Sequence, residues 1–466
     1  MQKDNRNYGL PLAVIILTVA AFLPPLEGLS HEGIMGLAVL FAAVALWMCE
    51  TLPMGVTALM ALVLVPILGI APINTVFSGF ATSTTIFAIA VFSLTAAVMK
   101  SNLAIRLVGF AVKVAGNNPR KLVLAFMVTG WLLSAVMNDS ATLVLMLGLI
   151  DVVLLAAGAE KGKSKLAKCL YIGSAFAVFM GGMATPAGAS TNVLALGLIQ
   201  QATGQTVPFV DWILVIGPVA AAMLPVIWFI LVRVFKPEPI SQEAIDALIE
   251  KSTVLGKMTP EEIKTLVMLV GIPTLWIIGS WVPALDVATV SVIGLAVMCA
   301  PGMRLLTFPE FQKEVPWNVV LMIGGVISLG GILSATGGVA FLASLFLSTG
   351  VMGLGLFGTV WVIVFVLYVT HSFIPIGPGF AMLLIPPLMA SFMDMGYSPA
   401  IPAMLIGAIL AGNLLFPINP ALALAYRDNV FTFFEPTKVG AIPVVVMTTL
   451  LALWVPFMVG VLGLPK

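Results

Sequence analysis

The chain has 466 residues, of which 61% are hydrophobic and only 9% are charged, and its formal net charge is +1. A mean hydropathy of +1.15 excludes a soluble fold, and repeated apolar blocks of about 20 residues match the thickness of a bilayer hydrocarbon core. The near-neutral charge does not indicate nucleic-acid binding, and the sequence lacks the short alternating strands of a membrane barrel. Composition therefore predicts a polytopic, all-α membrane protein.

Residues 1–50 predict two N-terminal membrane helices. Lys3 and Arg6 precede an apolar run, but no small-residue cleavage pattern follows before Pro24, so we expect a transmembrane helix rather than a signal peptide. The three cysteines are isolated from one another, which predicts neither disulfides nor a metal site.

The segment 51–235 predicts a first repeat that contains an interrupted apolar run, 122–156. This run is too long for one crossing, and Asn138-Asp139-Ser140 lies in its middle. We therefore expect a re-entrant hairpin, in which two half-spans meet at a polar tip. The run 169–200 is also too long, and Thr185-Pro186-Ala187-Gly188 divides it into the two halves of a broken helix.

A charged stretch, 236–262, predicts a cytoplasmic linker, and a second repeat is expected over 263–438. Thr259-Pro260-Glu261-Glu262 has the pattern of a capped helix start. The remaining predicted elements are an outward re-entrant hairpin at 353–393, a broken helix at 399–426 and a C-terminal helix at 439–466.

Lysine and arginine placement predicts the orientation of the chain. With a cytoplasmic N-terminus and two re-entrant hairpins, every Lys and Arg except Lys466 falls on the cytoplasmic side, and the C-terminus is external. A similar order of elements recurs at 84–200 and 317–426, with an odd number of crossings between the copies. The pattern predicts about 11 transmembrane helices in two inverted repeats, an architecture typical of secondary transporters.

Two ionisable residues interrupt the apolar runs. A carboxylate such as Asp139 is costly at membrane depth and usually faces a partner or a wet cavity. It is interpreted either as a cation ligand, as a proton carrier or as a capped structural group. His371 is a second candidate for proton coupling, because imidazole titrates near neutral pH; a packing role is the alternative.

Several motifs carry a family resemblance. The stretch from Trp47 to Leu59 is similar to the pattern W-x-x-E-x-L-P-x-x-V-T-A-L, and Val315 to Gly325 resembles I-P-W-x-x-L-L-L-F-G-G. Thr185, Gly188 and Asn192 match the pattern G-T-x-x-G-T-P-P-N, although its two prolines are missing. On these residues the chain resembles the divalent anion/sodium symporter family, which carries dicarboxylates, citrate or sulfate.

The resemblance implies a site at the two hairpin tips and the two helix breaks. The family motif Ser-Asn-Thr falls on Asn138-Asp139-Ser140 at the first tip, and on Ile376-Gly377-Pro378 at the second, where side-chain donors are lost. The implied cation ligands are Ser134, Asn138, Asp139, Ser140 and Gly188, with sodium (Na+) placed at Asn138, Asp139 and Gly188. The implied substrate-binding residues are Asn138, Ser140, Thr142, Thr185, Asn192, Gly377, Pro378, Asn419 and Pro420.

These features predict a secondary active transporter that carries a small divalent anion, dicarboxylate-like or an inorganic oxyanion, across the inner membrane by alternating access. Sodium is the expected coupling ion, and no other cofactor is expected. The alternatives are a proton-coupled symporter or anion exchanger of the same family, and a cation/proton antiporter or arsenite-type permease that uses Asp139. The resemblance also implies a homodimer. No nucleophile–base pair or nucleotide-binding loop is apparent, so an enzyme is not expected.

Overall fold

The computed structural model describes residues 6–160, 162–243, 246, 256–374, 376–418, 420–426 and 429–465. These residues are helical apart from loops and one isolated bridge between Leu26 and Leu29. Within the described residues, nine helices are long and apolar enough to cross a membrane, and five shorter apolar helices accompany them. The structure thus agrees with the predicted polytopic, all-α fold.

The N-terminal helices precede the first interrupted run. The first helix ends at Ala21, since Pro24 and Pro25 follow closely and cannot continue it. The helices of this part are α1 (Arg6–Ala21), α2 (His31–Met48), α3 (Met54–Ile67), α4 (Ile73–Val76), α5 (Ser83–Lys100) and the amphipathic α6 (Leu103–Ala115).

The two interrupted runs of the first half form two pairs of helices. The first run forms α7 (Pro119–Ser134) and α8 (Asp139–Ala156), and the second forms α9 (Lys165–Ala184) and α10 (Ser190–Thr203). The interruptions lie at the polar residues that the sequence singles out. A 27-residue helix, α11 (Phe209–Phe235), follows.

The next part contains the capped helix that the sequence predicts. Thr259 accepts a hydrogen bond from the backbone N–H of Glu262, whose side chain accepts from the N–H of Thr259, so the capping box is complete. The predicted linker 236–262 lies partly outside the described residues. The helices here are α12 (Pro260–Gly279), α13 (Val287–Cys299), α14 (Phe308–Glu314), α15 (Trp317–Ala335) and α16 (Gly338–Ser348).

The second half is built from similar elements with a less regular geometry. Its helices are α17 (Gly355–Phe373), α18 (Gly377–Asp394), α19 (Ala400–Ile409), α20 (Pro420–Tyr426) and α21 (Glu435–Leu462). Whereas α7 and α8 contact each other, an apolar cavity of about 350 Å³ lies between α17 and α18, with α16 at its border. The two helix pairs that flank the tips therefore differ in packing.

The core lies around α9, of which almost every residue is buried. Helices α7, α8 and α11 all contact α9, and α20 contacts both α8 and α9. Helix α10 contacts α18 and α19. In the first half of the chain, the second helix of each interrupted run, α8 or α10, therefore contacts a helix of the second half. This arrangement brings the two tips and the two breaks toward one region.

Candidate functional site

The loop between α7 and α8, which is the predicted tip of the first hairpin, is held against the loop between α9 and α10 by two hydrogen bonds. The backbone N–H of Asp139 donates to the carbonyl of Gly188 at 3.0 Å. The hydroxyl of Thr185 donates to the carbonyl of Ala135 at 2.5 Å. Both bonds join the loop between α7 and α8 to the loop between α9 and α10, so the predicted tip and break form one structural unit.

Asn138 begins α8 as its N-cap. Its side-chain oxygen accepts from the N–H groups of Ser140 at 3.1 Å and Ala141 at 3.4 Å, the usual way of satisfying the free donors of a first turn. Its own N–H donates to the hydroxyl of Thr95 in α5 at 3.4 Å. The predicted ligand oxygen of Asn138 is therefore engaged by its own helix.

Asp139 occupies the first position of α8 and is 9% exposed. The N–H and hydroxyl groups of Ser140 both donate to one oxygen of its carboxylate, at 2.6 and 3.2 Å. The hydroxyl of Thr142 donates to the carbonyl of Asn138 at 3.0 Å. Of these predicted ligands, only Asp139 presents a second oxygen without a hydrogen bond in the described residues.

Three residues approach the position that a Cβ atom of Gly182 would occupy, and we call this group the Gly182 pocket: Ser134, Asp139 and Gly188, together with Gly182 itself. A Cβ atom at Gly182 would lie 3.2 Å from the Cβ of Asp139, 3.3 Å from the Oγ of Ser134 and 3.5 Å from the carbonyl oxygen of Gly188. Oγ of Ser134 is buried and has no hydrogen-bond partner in the described residues. Hydroxyl, carboxylate and carbonyl oxygens are what a hard cation requires, so the donor set fits sodium.

The first helix break is fixed by Asn192. Its side-chain amide donates to the carbonyls of Gly182 at 2.8 Å and Thr185 at 2.7 Å, which bridges the end of α9 to the start of α10. The side-chain oxygen of Asn192 and the hydroxyl of the adjacent Thr191 are buried without partners in the described residues. Asn192 therefore positions the two ends of the break, and its side-chain oxygen can still accept a hydrogen bond.

The second tip reaches the start of α10. A Cβ atom at Gly377 would lie 3.5 Å from both the carbonyl oxygen of Leu410 and the Cγ2 of Thr191. Pro378 lies next to it in the first turn of α18. The two halves of the candidate site thus meet where the second tip contacts the second break and the first turn of α10.

The second break contains a buried asparagine. The side-chain oxygen of Asn413 accepts from the N–H groups of Leu415 at 2.7 Å and Phe416 at 3.3 Å, while its side-chain nitrogen is buried without a partner in the described residues. The hydroxyl of Tyr368 accepts from the N–H of Leu414 at 2.8 Å. Of the predicted ligands at this break, Asn419 lies outside the described residues and Pro420 begins α20.

His371 is 2% exposed near the end of α17. Neither ring nitrogen has a partner in the described residues, and the ring meets that of Phe380 edge to face with centroids 6.1 Å apart. The neighbouring Ser372 donates to the carbonyl of Tyr368 within the helix at 2.8 Å. Among the described residues, His371 is therefore a buried titratable group of the second half with ring nitrogens that have no assigned hydrogen-bond partner.

Sequence reasoning missed several residues of this region. Gly182 resembles a packing glycine, and Thr95 and Thr191 resemble ordinary helix residues, because their importance depends on tertiary contacts. Asp151, near the end of α8, accepts a hydrogen bond from the hydroxyl of Tyr171 in α9. The carboxylate of Asp151, near the end of the apolar run 122–156, was a sequence signal that could have predicted this contact between α8 and α9.

Comparison with protein families gives a match over nearly the whole chain. A family profile described as the sodium:sulfate symporter transmembrane region matches residues 4–462. The sodium-dependent dicarboxylate transporter SdcS of Staphylococcus saprophyticus is 23% identical, over 99% of this chain and 94% of its own. The sodium-dependent high-affinity dicarboxylate transporter 3 of Caenorhabditis elegans is 25% identical, over 62% of this chain and 60% of its own.

Two solved structures share the fold at low sequence identity. The YdaH transporter of Alcanivorax borkumensis has a TM-score of 0.55 at 14% identity, with 82% of this chain and 86% of that chain covered. MtrF of Neisseria gonorrhoeae, described within a class of antimetabolite efflux pumps, has a TM-score of 0.50 at 16% identity. This second comparison covers 98% of this chain and 95% of MtrF.

Proposed function

Because the chain belongs to the sodium:sulfate symporter family and is therefore a multi-pass membrane transporter rather than an enzyme, we propose that it couples sodium to the uptake of a small divalent anion. The sodium-dependent dicarboxylate carriers among its relatives support this coupling and this substrate class. A dicarboxylate or an inorganic oxyanion then crosses the inner membrane by alternating access.

The observation that carries the proposal is the Gly182 pocket. The unpartnered hydroxyl of Ser134 and the carbonyl oxygen of Gly188 lie there, and the Cβ of Asp139 lies beside them, so the carboxylate of Asp139 is proposed as the third oxygen donor. Asp139 supplies a formal negative charge, which strengthens a cation site built from few ligands. Sodium bound there would hold the first tip to the first break, so cation binding and the arrangement of the substrate site would be coupled.

The substrate anion is proposed to bind next to this pocket, between the two tips. Helices α10 and α18 start at a break and at a tip and have no side-chain N-cap, and free N–H groups at helix N-termini favour anions. Ser140, Thr142, Thr185, Asn192, Gly377 and Pro378 remain the proposed substrate contacts. The bound cation compensates the charge of the anion.

The transport cycle is proposed to follow the predicted repeats. The hairpins at 122–156 and 353–393 and the broken helices at 169–200 and 399–426 would move against a scaffold formed by the other membrane helices. The two repeats would be inverted in the membrane, with the N-terminus cytoplasmic and the C-terminus external. The scaffold would form the contact of a homodimer.

The test uses the purified chain in proteoliposomes. Uptake of labelled succinate and sulfate is measured with imposed sodium and proton gradients, for the wild type and for Gly182→Ala. The added methyl group fills the pocket, so the sodium concentration for half-maximal uptake should rise at least about tenfold. The matched control is Gly148→Ala, because a Cβ at Gly148 meets no atom within 4 Å.

Two outcomes would contradict this function. If neither anion is taken up under any gradient, the chain does not carry this class of substrate. If uptake requires a proton gradient and is indifferent to sodium, the proton-coupled alternative is correct. In that case His371, with two unpartnered buried nitrogens, is the first candidate, and His371→Gln should abolish the pH dependence of uptake.

A further inference from the structure

Asn413, in the second break, is fully buried and uses only one end of its side chain. The side-chain oxygen accepts from the N–H groups of Leu415 and Phe416, as in an Asx turn. The N–H of the intervening Leu414 donates to the hydroxyl of Tyr368 in α17 at 2.8 Å, which ties this turn to the second hairpin. Because the oxygen is engaged twice, the free end of the amide is its NH2 group, and that nitrogen is buried without a partner in the described residues.

The residue before Asn413 packs against the first half of the candidate site. Gly412 lies so close to the ring of Phe179 in α9 that a Cβ atom at Gly412 would overlap that side chain. Phe179 and Gly182 are three residues apart in α9, so they lie on the same face of that helix. The second break therefore contacts α9 one helical turn from the Gly182 pocket.

The start of the same loop contacts the second tip. The carbonyl oxygen of Leu410, three residues before Asn413, is 3.5 Å from the position of a Cβ atom at Gly377. The Cγ2 of Thr191, in the first turn of α10, is 3.5 Å from that same position. Asn413 thus belongs to a loop that meets α9, α10 and the second tip, which are the elements of the candidate site.

The unpartnered groups of the two breaks differ in their hydrogen-bonding chemistry. In the first half they include the side-chain oxygen of Asn192, which only accepts, and the hydroxyl of Ser134, which can accept. The NH2 group of Asn413 only donates. A hard cation requires oxygen ligands, so this NH2 group cannot bind sodium, whereas a carboxylate or an oxyanion can accept from it. The neutral ring of His371 has one donor and one acceptor and is compatible with either ion.

We propose that Asn413 is a specificity residue of the second half, and that its NH2 group donates to an oxygen of the transported anion. A buried donor without a partner is costly, and the anion supplies the missing acceptor. The NH2 group is closed off from water in this conformation, so the anion would reach it when the second tip and the second break separate during the transport cycle. This inference rests on the proposed function and assigns one more contact to its substrate site.

The experiment compares two variants of Asn413 in proteoliposomes. Asn413→Thr keeps an oxygen that can accept within the turn but removes the NH2 group, whereas Asn413→Asp keeps the acceptor and puts a charged oxygen in place of the donor. The KM for labelled succinate, measured at saturating sodium, should rise about 10- to 100-fold in Asn413→Thr, because a hydrogen bond to a charged group is lost. It should rise further in Asn413→Asp, because two like charges then meet.

Sodium binding is measured separately, as the stabilisation of the purified protein by sodium in the absence of any anion. The sodium affinity should be the same in the wild type and in both Asn413 variants. The matched control is Asn118, whose side-chain oxygen accepts from the N–H groups of Arg120 at 3.0 Å and Lys121 at 3.2 Å, in a turn of the same spacing at an exposed position. Asn118→Thr and Asn118→Asp should leave the KM for succinate unchanged.

Two results would overturn this inference while the proposed function stands. An unchanged KM for succinate in both Asn413 variants, even with a lower melting temperature, would assign the side chain to the turn alone. Tighter sodium binding by Asn413→Asp with an unchanged KM would assign it to a cation site. Should one variant fail to fold, the KM of the other decides. If the wild type takes up no anion, the proposed function fails and this inference fails with it.

Discussion

The backbone N–H of Asp139 donates to the carbonyl oxygen of Gly188 across 3.0 Å, and so joins the start of α8 to the break between α9 and α10. Neither group is part of a side chain, so the bond depends on how closely the two backbones approach. Gly188 permits this approach because the position of a Cβ atom there is already taken by the backbone of Gly182 and Ser134. The candidate cation site therefore depends on a backbone contact as well as on ligand chemistry.

Gly188→Ala is expected to abolish uptake, whereas Gly377→Ala is expected to be tolerated. A Cβ at Gly188 would lie 2.7 Å from both the Cα of Gly182 and the carbonyl oxygen of Ser134, which are backbone atoms that cannot move aside alone. A Cβ at Gly377 would make ordinary contacts at 3.5 Å. Overpacking of this kind costs about 1–3 kcal/mol. The measurement is uptake per molecule of folded protein. Equal uptake by the two variants would contradict the prediction that Gly188, unlike Gly377, has no room for a Cβ atom.

Thr185→Val should lower the apparent melting temperature in detergent. The variant removes the hydroxyl that donates to the carbonyl of Ala135 at 2.5 Å and leaves that carbonyl buried without its partner, a loss of about 1–3 kcal/mol. Thr274→Val is the control, since the hydroxyl of Thr274 only donates to the carbonyl of Val270 within an exposed turn of α12. A shift of equal size in both variants would mean that Thr185 does not hold the tip to the break.

The positions of the breaks could be predicted from the sequence, because they depend on local features. Pro186 and Gly188 interrupt a helix by backbone chemistry, and Asn138 is a strong N-cap wherever it precedes a helix. Even the capping box at Thr259 required only four adjacent residues. These parts of the fold are determined within a few residues of the chain.

The composition of the site could not be predicted in the same way. Ser134 was a candidate ligand by type, but Gly182 joins it only through the packing of α7 on α9. The sequence indicated Asn138 as a candidate ligand, and the structure adds that its side-chain oxygen caps the first turn of α8. The ring of Phe416 contacts those of Phe373 and Phe434, and no local pattern in the sequence indicates that these rings meet.

Asp139→Asn is expected to weaken sodium dependence without unfolding the chain. The amide keeps one oxygen that can accept from Ser140, but it removes the formal charge from the Gly182 pocket, and ligand charge is a main determinant of cation affinity. We expect the sodium concentration for half-maximal uptake to rise about 10- to 100-fold, with some uptake retained at saturating sodium. Asp394→Asn, at the exposed end of α18, should leave sodium dependence unchanged. If uptake by Asp139→Asn depends on sodium concentration as wild-type uptake does, the carboxylate of Asp139 has a structural role and is not a sodium ligand.

The ion pair between Lys168 and Glu435 should couple the start of α9 to the start of α21. The two groups are 2.7 Å apart, and their side chains are 17% and 11% exposed, so removing one partner leaves a charge in a poorly solvated place. Lys168→Met and Glu435→Gln should each lower the apparent melting temperature by about 2–4 °C, and the double variant should lose less than the sum.

The pair between Lys100 and Glu310 is the matched comparison, with the same 2.7 Å separation but with side chains that are 51% and 41% exposed. Hydrogen bonding to Lys100 lowers the pKa of Glu310 to about 2. The ionised carboxylate of Glu310 therefore contributes its full stabilisation at any pH above the usual carboxyl pKa range, and this stabilisation is lost as the pH falls through about 2. Between pH 5 and 8, Glu310→Gln should change the melting temperature little and without pH dependence, as expected for an exposed pair. If Glu310→Gln is as destabilising as Glu435→Gln, burial does not determine the strength of these contacts.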